Sequence, residues 1–279
     1  MNNKLILGII FGMLASVNLS VGKGVQKMKV QVLKQGRKIL APAFRKDFGI
    51  WLLGVAMTTS ASILYSVSLK FTGKSTIVAS LSGIGLVGLL IFAGLVLKEK
   101  VGVREISGLI LIIMGTALIS YFNEAGISGR QYDITRFIYA CLGMALFFSL
   151  LVLTGTKIVR MWGFAFGMIA GSLIGLGIVL GDMALVSSGG DLWGQLNGPF
   201  PYLAYVCLAG ALAVTQVAFF KSTAVIVVPT INSFTIFAPL VVEYFTFGSF
   251  LTSFQYFGVL LIVAGIVILS TGQKQIFNN

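Results

Sequence analysis

Residues 108–120 read GLILIIMGTALIS, and residues 258–270 read GVLLIVAGIVILS. At a shift of 150 the two segments share Gly108 with Gly258, Gly115 with Gly265 and Ser120 with Ser270, and are apolar almost throughout. A second match lies upstream. Phe11-Gly12-Met13, Ala15 and Gly22 recur as Phe166-Gly167-Met168, Ala170 and Gly177, at a shift of 155. Apolar helices resemble one another by composition, so either match alone carries little. Two matches in the same order at nearly the same shift imply an internal repeat.

Composition says what kind of helix is repeated. Of 279 residues, 57% are apolar and 10% are charged, where soluble domains carry roughly a quarter charged. A soluble surface cannot be covered with so few charges, whereas a bilayer removes the need. Glycine, at 34 residues, lets helix backbones approach closely in lipid. A span takes about 20 largely apolar residues. Nine runs qualify, at about 4–21, 48–69, 75–97, 106–122, 136–156, 161–186, 200–220, 224–247 and 252–271. The expected fold is an all-α polytopic membrane protein of about nine transmembrane helices. It comprises a first repeat (1–122) with a basic cytoplasmic arm at 23–47, a connecting helix (123–160) and a second repeat (161–279). A single connecting helix inverts the second four-helix repeat relative to the first, as in transporters that bind substrate between such halves.

Charge placement orients the chain. Lys23, Lys27, Lys29, Lys34, Arg37, Lys38, Arg45 and Lys46 fall between the first two runs. With that loop in the cytoplasm, Lys98, Lys100, Arg104, Lys157, Arg160, Lys221 and Lys274 are also inside, and Lys4, Lys70, Lys74, Arg130 and Arg136 are outside. The bias is positive-inside: N-terminus outside, C-terminus inside, in a prokaryotic inner or plasma membrane. The basic excess reads as a topology signal with contact to anionic lipid head groups. A nucleic-acid footprint is disfavoured, since only Phe44 is there to stack. The stretch 28–45 as a tenth membrane helix is opposed by its basic residues. The first run has one Lys ahead of it and no small-residue cleavage site, unlike a signal peptide.

The layout resembles the drug/metabolite transporter superfamily, with its EamA-like permeases. Leu97-Lys98-Glu99, followed by Gly108 and Gly115, is similar to the superfamily's glutamate-then-glycine junction. In the second half Gly258 and Gly265 recur, with Ser249 in place of the glutamate. The closest layout is that of the NIPA-like magnesium transporters, through the basic arm and through Thr215, Gln216, Lys221 and Pro229. The resemblance implies transport of a small metabolite, a drug-like molecule or magnesium.

Eight acids are present and no histidine. Asp47, Glu99, Glu105, Glu124, Asp133 and Asp191 fall at run ends or in loops and read as solvated. Asp182 and Glu243 lie inside apolar runs, where a charge costs roughly 2.5–3.5 kcal/mol on insertion scales. Each either faces a cavity or snorkels to the boundary. The eighth run holds Pro229, Thr230, Asn232, Ser233, Thr235 and Pro239; each proline frees a carbonyl one turn back. Candidate substrate-binding residues are therefore Glu243, Asp182, Asn232, Ser233, Thr230, Gln216 and Asn18, though interhelical hydrogen bonding is the commoner fate of the last two. Metal ligands are unassigned. Cys141 and Cys207 read as buried thiols, and Trp51, Trp162 and Trp193 as interfacial anchors. Gly73-Lys74-Ser75 lacks the upstream glycine of a phosphate loop, and no enzyme signature or cofactor site is expected. The partners expected are a small-molecule or cation substrate and membrane lipid. A lipid-translocating or assembly subunit is the reading from another class.

Overall fold

The computed structural model describes residues 3–72, 82–99, 101–122, 131–155, 162–189, 191, 193–248 and 252–272. Lys74, Lys100, Glu124, Arg130, Lys157, Arg160, Ser249 and Lys274 lie outside them. The described chain forms α-helices only, with short 3-10 and π turns: α1 (Asn3–Lys29), α2 (Pro42–Thr72), α3 (Ser82–Phe92, extended by a π turn over Ala93–Leu97), α4 (Val103–Tyr121), α5 (Ile134–Gly155), α6 (Trp162–Ser187), α7 (Phe200–Lys221), α8 (Ala224–Phe247) and α9 (Ser253–Gly272). Among the described residues each apolar run overlaps one of them; residues 75–81 of the third run lie outside the described residues. In hydrocarbon a backbone amide has no water to bond, and the α-helix satisfies it within the segment. Local signals set the ends. Pro42, with no amide to lose, opens α2. Asp133 caps α5 by accepting from the amides of Thr135 (2.9 Å) and Arg136 (3.1 Å). Gly248, at φ +66°, ends α8.

Among the described residues, five helical stretches are long and apolar enough to cross a membrane, and Ile84–Leu97 and Ser253–Ile268 are shorter apolar helices. The exposed side of α5 presents Ile138, Leu142, Leu146, Phe147, Leu150 and Leu153. Such a surface is costly in water and ordinary in lipid, so the chain is a membrane-embedded helical protein.

One boundary is corrected. The first run was expected to end near residue 21, with the basic stretch as an arm. Instead α1 continues to Lys29, and a 3-10 segment (Val30–Leu40), broken at Gly36 (φ +52°), leads into α2. Lys23 and Gln26 are buried in α1 against their neighbours. The helix persists because α2 accepts from the Gln26 amide and α3 packs Phe92 against Gly24.

Two compact units are present. The first comprises residues 1–123, 219–229 and 254–279, and the second residues 124–218 and 230–253. In the first unit α1 and α2 run antiparallel. Ser68 Oγ donates to Gly8 O (2.6 Å), Asn18 Nδ2 to Met57 O (3.1 Å) and Ser60 Oγ (2.8 Å), and Gln26 Nε2 to Gly54 O (3.2 Å) and Thr58 Oγ1 (3.0 Å). Partner numbers fall as α1 advances, so the 3-10 segment returns the chain without another crossing. Helix α3 is parallel to α1, with Gly85 against the Ser16 backbone and Gly24 against Phe92. Helices α4 and α9 cross antiparallel and reciprocally. A Cβ on Gly115 would lie 2.5 Å from Gly258 O and 2.8 Å from Ile262 Cγ1; one on Gly265 would lie 2.6 Å from Gly108 O and 2.8 Å from Ile112 Cγ1.

In the second unit α6 and α8 are parallel, with Gly171 against the Ile231 carbonyl and Gly175 against the Pro239 ring. Helices α6 and α7 are antiparallel, Gly177 facing Ala204 and Leu208 and Gly210 facing Leu173. Phe137 at the start of α5 packs with Val179, Leu180 and Met183 of α6, Ala204 of α7 and Val242 of α8. The amide of Asp133 donates to Thr246 O (2.9 Å). Starts of α5 and α7 thus share a layer with the ends of α6 and α8, and α5 to α8 alternate in direction.

The glycine contacts give a prediction. Gly115→Ala or Gly265→Ala places a methyl against a backbone carbonyl and should cost about 1–3 kcal/mol. Gly143→Ala and Gly181→Ala add a Cβ that meets nothing within 4 Å and should be neutral or gain up to about 1 kcal/mol. Unfolding midpoints of the four variants in one detergent check this; equal shifts would refute it.

Candidate functional site

The second unit carries most of the polar candidates. Helix α8 absorbs both prolines without breaking, which frees the carbonyls of Val225 and Thr235 from their helical partners. Thr230 and Ser233 are fully buried, Asn232 is half-buried, and Thr235 Oγ1 donates to Ile231 O (2.9 Å). The pairing of Gly171 with Ile231 and of Gly175 with Pro239 sets the register of α6 on α8. It brings Ser172 to the level of Thr230–Ser233. Ser172 Oγ is buried and makes no hydrogen bond, so a donor and an acceptor remain available at that level.

A second polar level lies nearer the C-terminal end of α8. The same register, carried forward, brings the backbone of Asp182 beside Thr246 and within about one turn of Glu243. Glu243 is half-buried, and Thr246 Oγ1 is buried with no hydrogen bond. The side chain of Asp182 lies outside the described residues. Glu243 is ten to thirteen residues from Thr230, Asn232 and Ser233, which at 1.5 Å per residue is about 15–20 Å along the helix. The eighth-run candidates thus form two levels, too far apart to coordinate one ion together. Gln216 is buried in α7 and donates to Leu212 O (3.3 Å) of its own helix. Asn18 joins α1 to α2 in the first unit. Neither Ser172 nor Thr246 stood out in the sequence. A lone hydroxyl in an apolar helix usually back-bonds to its own carbonyls, so its lack of a partner emerges only in the fold.

The first unit holds a charged pair that sequence reasoning passed over. Glu99, expected to be solvated at a helix end, is half-buried. The π turn closing α3 ends on Lys98 in the left-handed region (φ 55°), a rare conformation for a non-glycine residue, and Glu99 follows it. Glu99 Oε1 accepts from the amide of Ala224 (2.8 Å) and Oε2 from that of Val225 (3.1 Å), the first amides of α8. One turn away along the chain, Lys27 Nζ donates to Phe219 O and Ser222 O (2.6 Å), at the end of α7. The two-residue link Ser222–Thr223 joins antiparallel helices, so a carbonyl end and an amide end meet there. The ammonium takes the negative end and the carboxylate the positive end. Lys34 lies over the Phe220 ring at 5.1 Å.

Burial pushes the Glu99 carboxyl above its ordinary range, against the pull of the two amides and of Lys27. A carboxyl raised in the folded state contributes stability that is complete below its unfolded value, near 4.5, and lost as pH rises through the folded value. Glu99→Gln should therefore flatten the decline in stability that sets in above that pH. Glu99→Ala strands two amides, removes the charge near Lys27 and should cost about 1–3 kcal/mol, with faster hydrogen exchange at Ala224 and Val225. Denaturant titration across pH and amide exchange read both effects. Unchanged exchange in Glu99→Ala would show that the carboxylate does not hold the turn.

No protein-family model, curated protein or solved structure matches the chain. Among the described residues no group of three or more acidic, histidine or cysteine side chains is placed to hold a metal.

Proposed function

We propose that the protein is a secondary transporter that moves a small metabolite or drug-like molecule across the membrane by alternating access. It is built as inverted repeats, residues 1–122 and 161–279, joined by 123–160. The reciprocal crossing of α4 and α9 carries this reading. With Gly108 equivalent to Gly258 and Gly115 to Gly265, the contact of Gly115 with Gly258 becomes, on exchange of the repeats, the contact of Gly265 with Gly108. Two antiparallel helices meeting in this way have a local two-fold axis perpendicular to both, in the plane of a bilayer they span. The partners of α1 and α6 add support. Gly22 meets α2 where Gly177 meets α7, and Ser16 meets α3 where its equivalent, Gly171, meets α8. Membership of the drug/metabolite transporter superfamily, in its EamA-like branch, is part of the same proposal.

In this reading the chain crosses nine times, with the N-terminus outside and the basic segment in the cytoplasm; the antiparallel order of α1 and α2 within the first unit and of α5 to α8 within the second supports it. The two polar levels of the second unit are the candidate substrate groups. The inner one, with Ser172, Thr230, Asn232 and Ser233, offers neutral hydrogen bonding. The outer one offers the carboxylate of Glu243, which can exchange a proton for a positively charged substrate; Asp182, a candidate from the sequence, has its backbone at the same level. On this reading transport follows a gradient or merely equilibrates the substrate.

The test begins with a thermal-stability screen of the purified protein against organic cations, neutral metabolites and magnesium in parallel. Uptake of the stabilising compound into proteoliposomes follows. Stabilisation by an organic compound is expected, with Glu243→Gln slowing its uptake and removing the pH dependence. Stabilisation by magnesium alone would replace this reading with divalent-cation transport. Response to neither, with lipid exchange between leaflets, would favour a lipid-moving protein. A Glu243→Gln variant with unchanged rate and pH profile would make Glu243 a boundary residue.

A further inference from the structure

Helices α1 and α2, of 27 and 31 residues, measure about 40 and 46 Å at 1.5 Å per residue, against a hydrocarbon core of about 30 Å. Being antiparallel, they carry the Val30–Leu40 segment and the first turn of α2 at one shared end, beyond the core. Trp51, stacked on Phe48 at 5.8 Å, lies about two and a half turns into α2, near the depth of an aromatic belt. The basic residues here divide into two groups. Lys27 bonds to α7, Lys29 pairs with Asp47 at 2.7 Å, and Lys34 lies over Phe220. Lys38, Arg45 and Lys46 are exposed, and no acid falls between Lys29 and Asp47. Val30 and Val32 are buried beneath the segment, while Leu40 projects with 69% of its surface exposed. A buried apolar anchor, an outward apolar side chain and flanking basic groups make up the surface of an interfacial segment.

We propose that Lys38, Arg45 and Lys46, with Leu40 reaching into the acyl boundary, form a docking surface for anionic phospholipid head groups. The fit lies in charge: three exposed cations with no acid among them, at the depth where lipid phosphates sit. The surface is distinct from the polar levels of the transport site and does not depend on the transport reading.

Quenching of Trp51 by brominated lipid tests it, in a full-length protein whose other two tryptophans are replaced (Trp162→Phe, Trp193→Phe). Vesicles of phosphatidylcholine receive increasing fractions of brominated phosphatidylglycerol or of brominated phosphatidylcholine, and the ratio of the two binding constants is read. The ratio should exceed one at low salt and fall toward one at high salt. Near an anionic surface each basic residue is worth about fivefold, so K38Q, R45Q and K46Q should each lower the ratio by up to that factor. The combined variant should abolish the preference, and K38R/R45K/K46R should keep it. Leu40→Ser should weaken quenching by both lipids. A wild-type ratio of one, or a preference that survives removal of all three charges, would overturn the proposal. Loss of the preference on adding millimolar inorganic phosphate at constant ionic strength would also overturn it, by revealing a free-anion site. If the combined variant does not fold, the salt series on the wild-type background decides.

Discussion

Helices in lipid gain nothing from excluding water from one another, so their association rests on close packing and on polar groups that find partners inside the protein. Here the close packing is made at glycine. Gly22 and Gly54 bring α1 onto α2, Gly85 brings α3 onto α1, Gly171 and Gly175 seat α6 on α8, and Gly115 and Gly265 lock α4 to α9. At each crossing a single methyl would push against a backbone carbonyl, a proline ring or a neighbouring side chain. The register fixed by these glycines is what places every polar side chain. Ser172 stands level with Ser233 because Gly171 lies against Ile231, and Thr246 stands level with Asp182 because Gly175 lies against Pro239.

The charges obey the same constraint by a different route. A tight turn between antiparallel helices concentrates unpaired carbonyls and amides in a few ångströms. Water satisfies them at a surface; near the membrane the chain supplies Lys27 and Glu99 instead. The carboxylate spans two amides, a task that takes both of its oxygens. Beyond this turn α8 contributes residues to the second compact unit from Thr230 onward, immediately after Pro229, which has no amide hydrogen. The anchored first turn and the helix bearing the candidate substrate groups are thus one continuous element.

Much of the fold was legible in the sequence. In hydrocarbon a long apolar run has few alternatives to a helix, and among the described residues each run overlaps a helix. The end of α1 was not legible, because buried Lys23 and Gln26 look like loop residues until α2 and α3 are seen beside them. The site was legible only in composition. Proline and hydroxyl residues marked the eighth run, but helical rise divides Thr230, Asn232 and Ser233 from Glu243. The roles of Lys27 and Glu99 depend on Phe219–Val225, more than a hundred residues away from either, and no local pattern announces them. The glycine pattern was the most informative signal, since the glycines it matched, Gly108 and Gly115 with Gly258 and Gly265, are the ones at which α4 and α9 meet.

Inverted repeats require the start of α4 and the start of α9 to face opposite sides of the membrane. Val103→Cys and Ser253→Cys, each in a protein with Cys141 and Cys207 replaced by serine, can be labelled with a membrane-impermeant thiol reagent in sealed vesicles of known orientation. Label should reach Ser253→Cys from outside and Val103→Cys only from the cytoplasmic side. Labelling of both from the same side would contradict the inverted arrangement and remove the main support for a transporter.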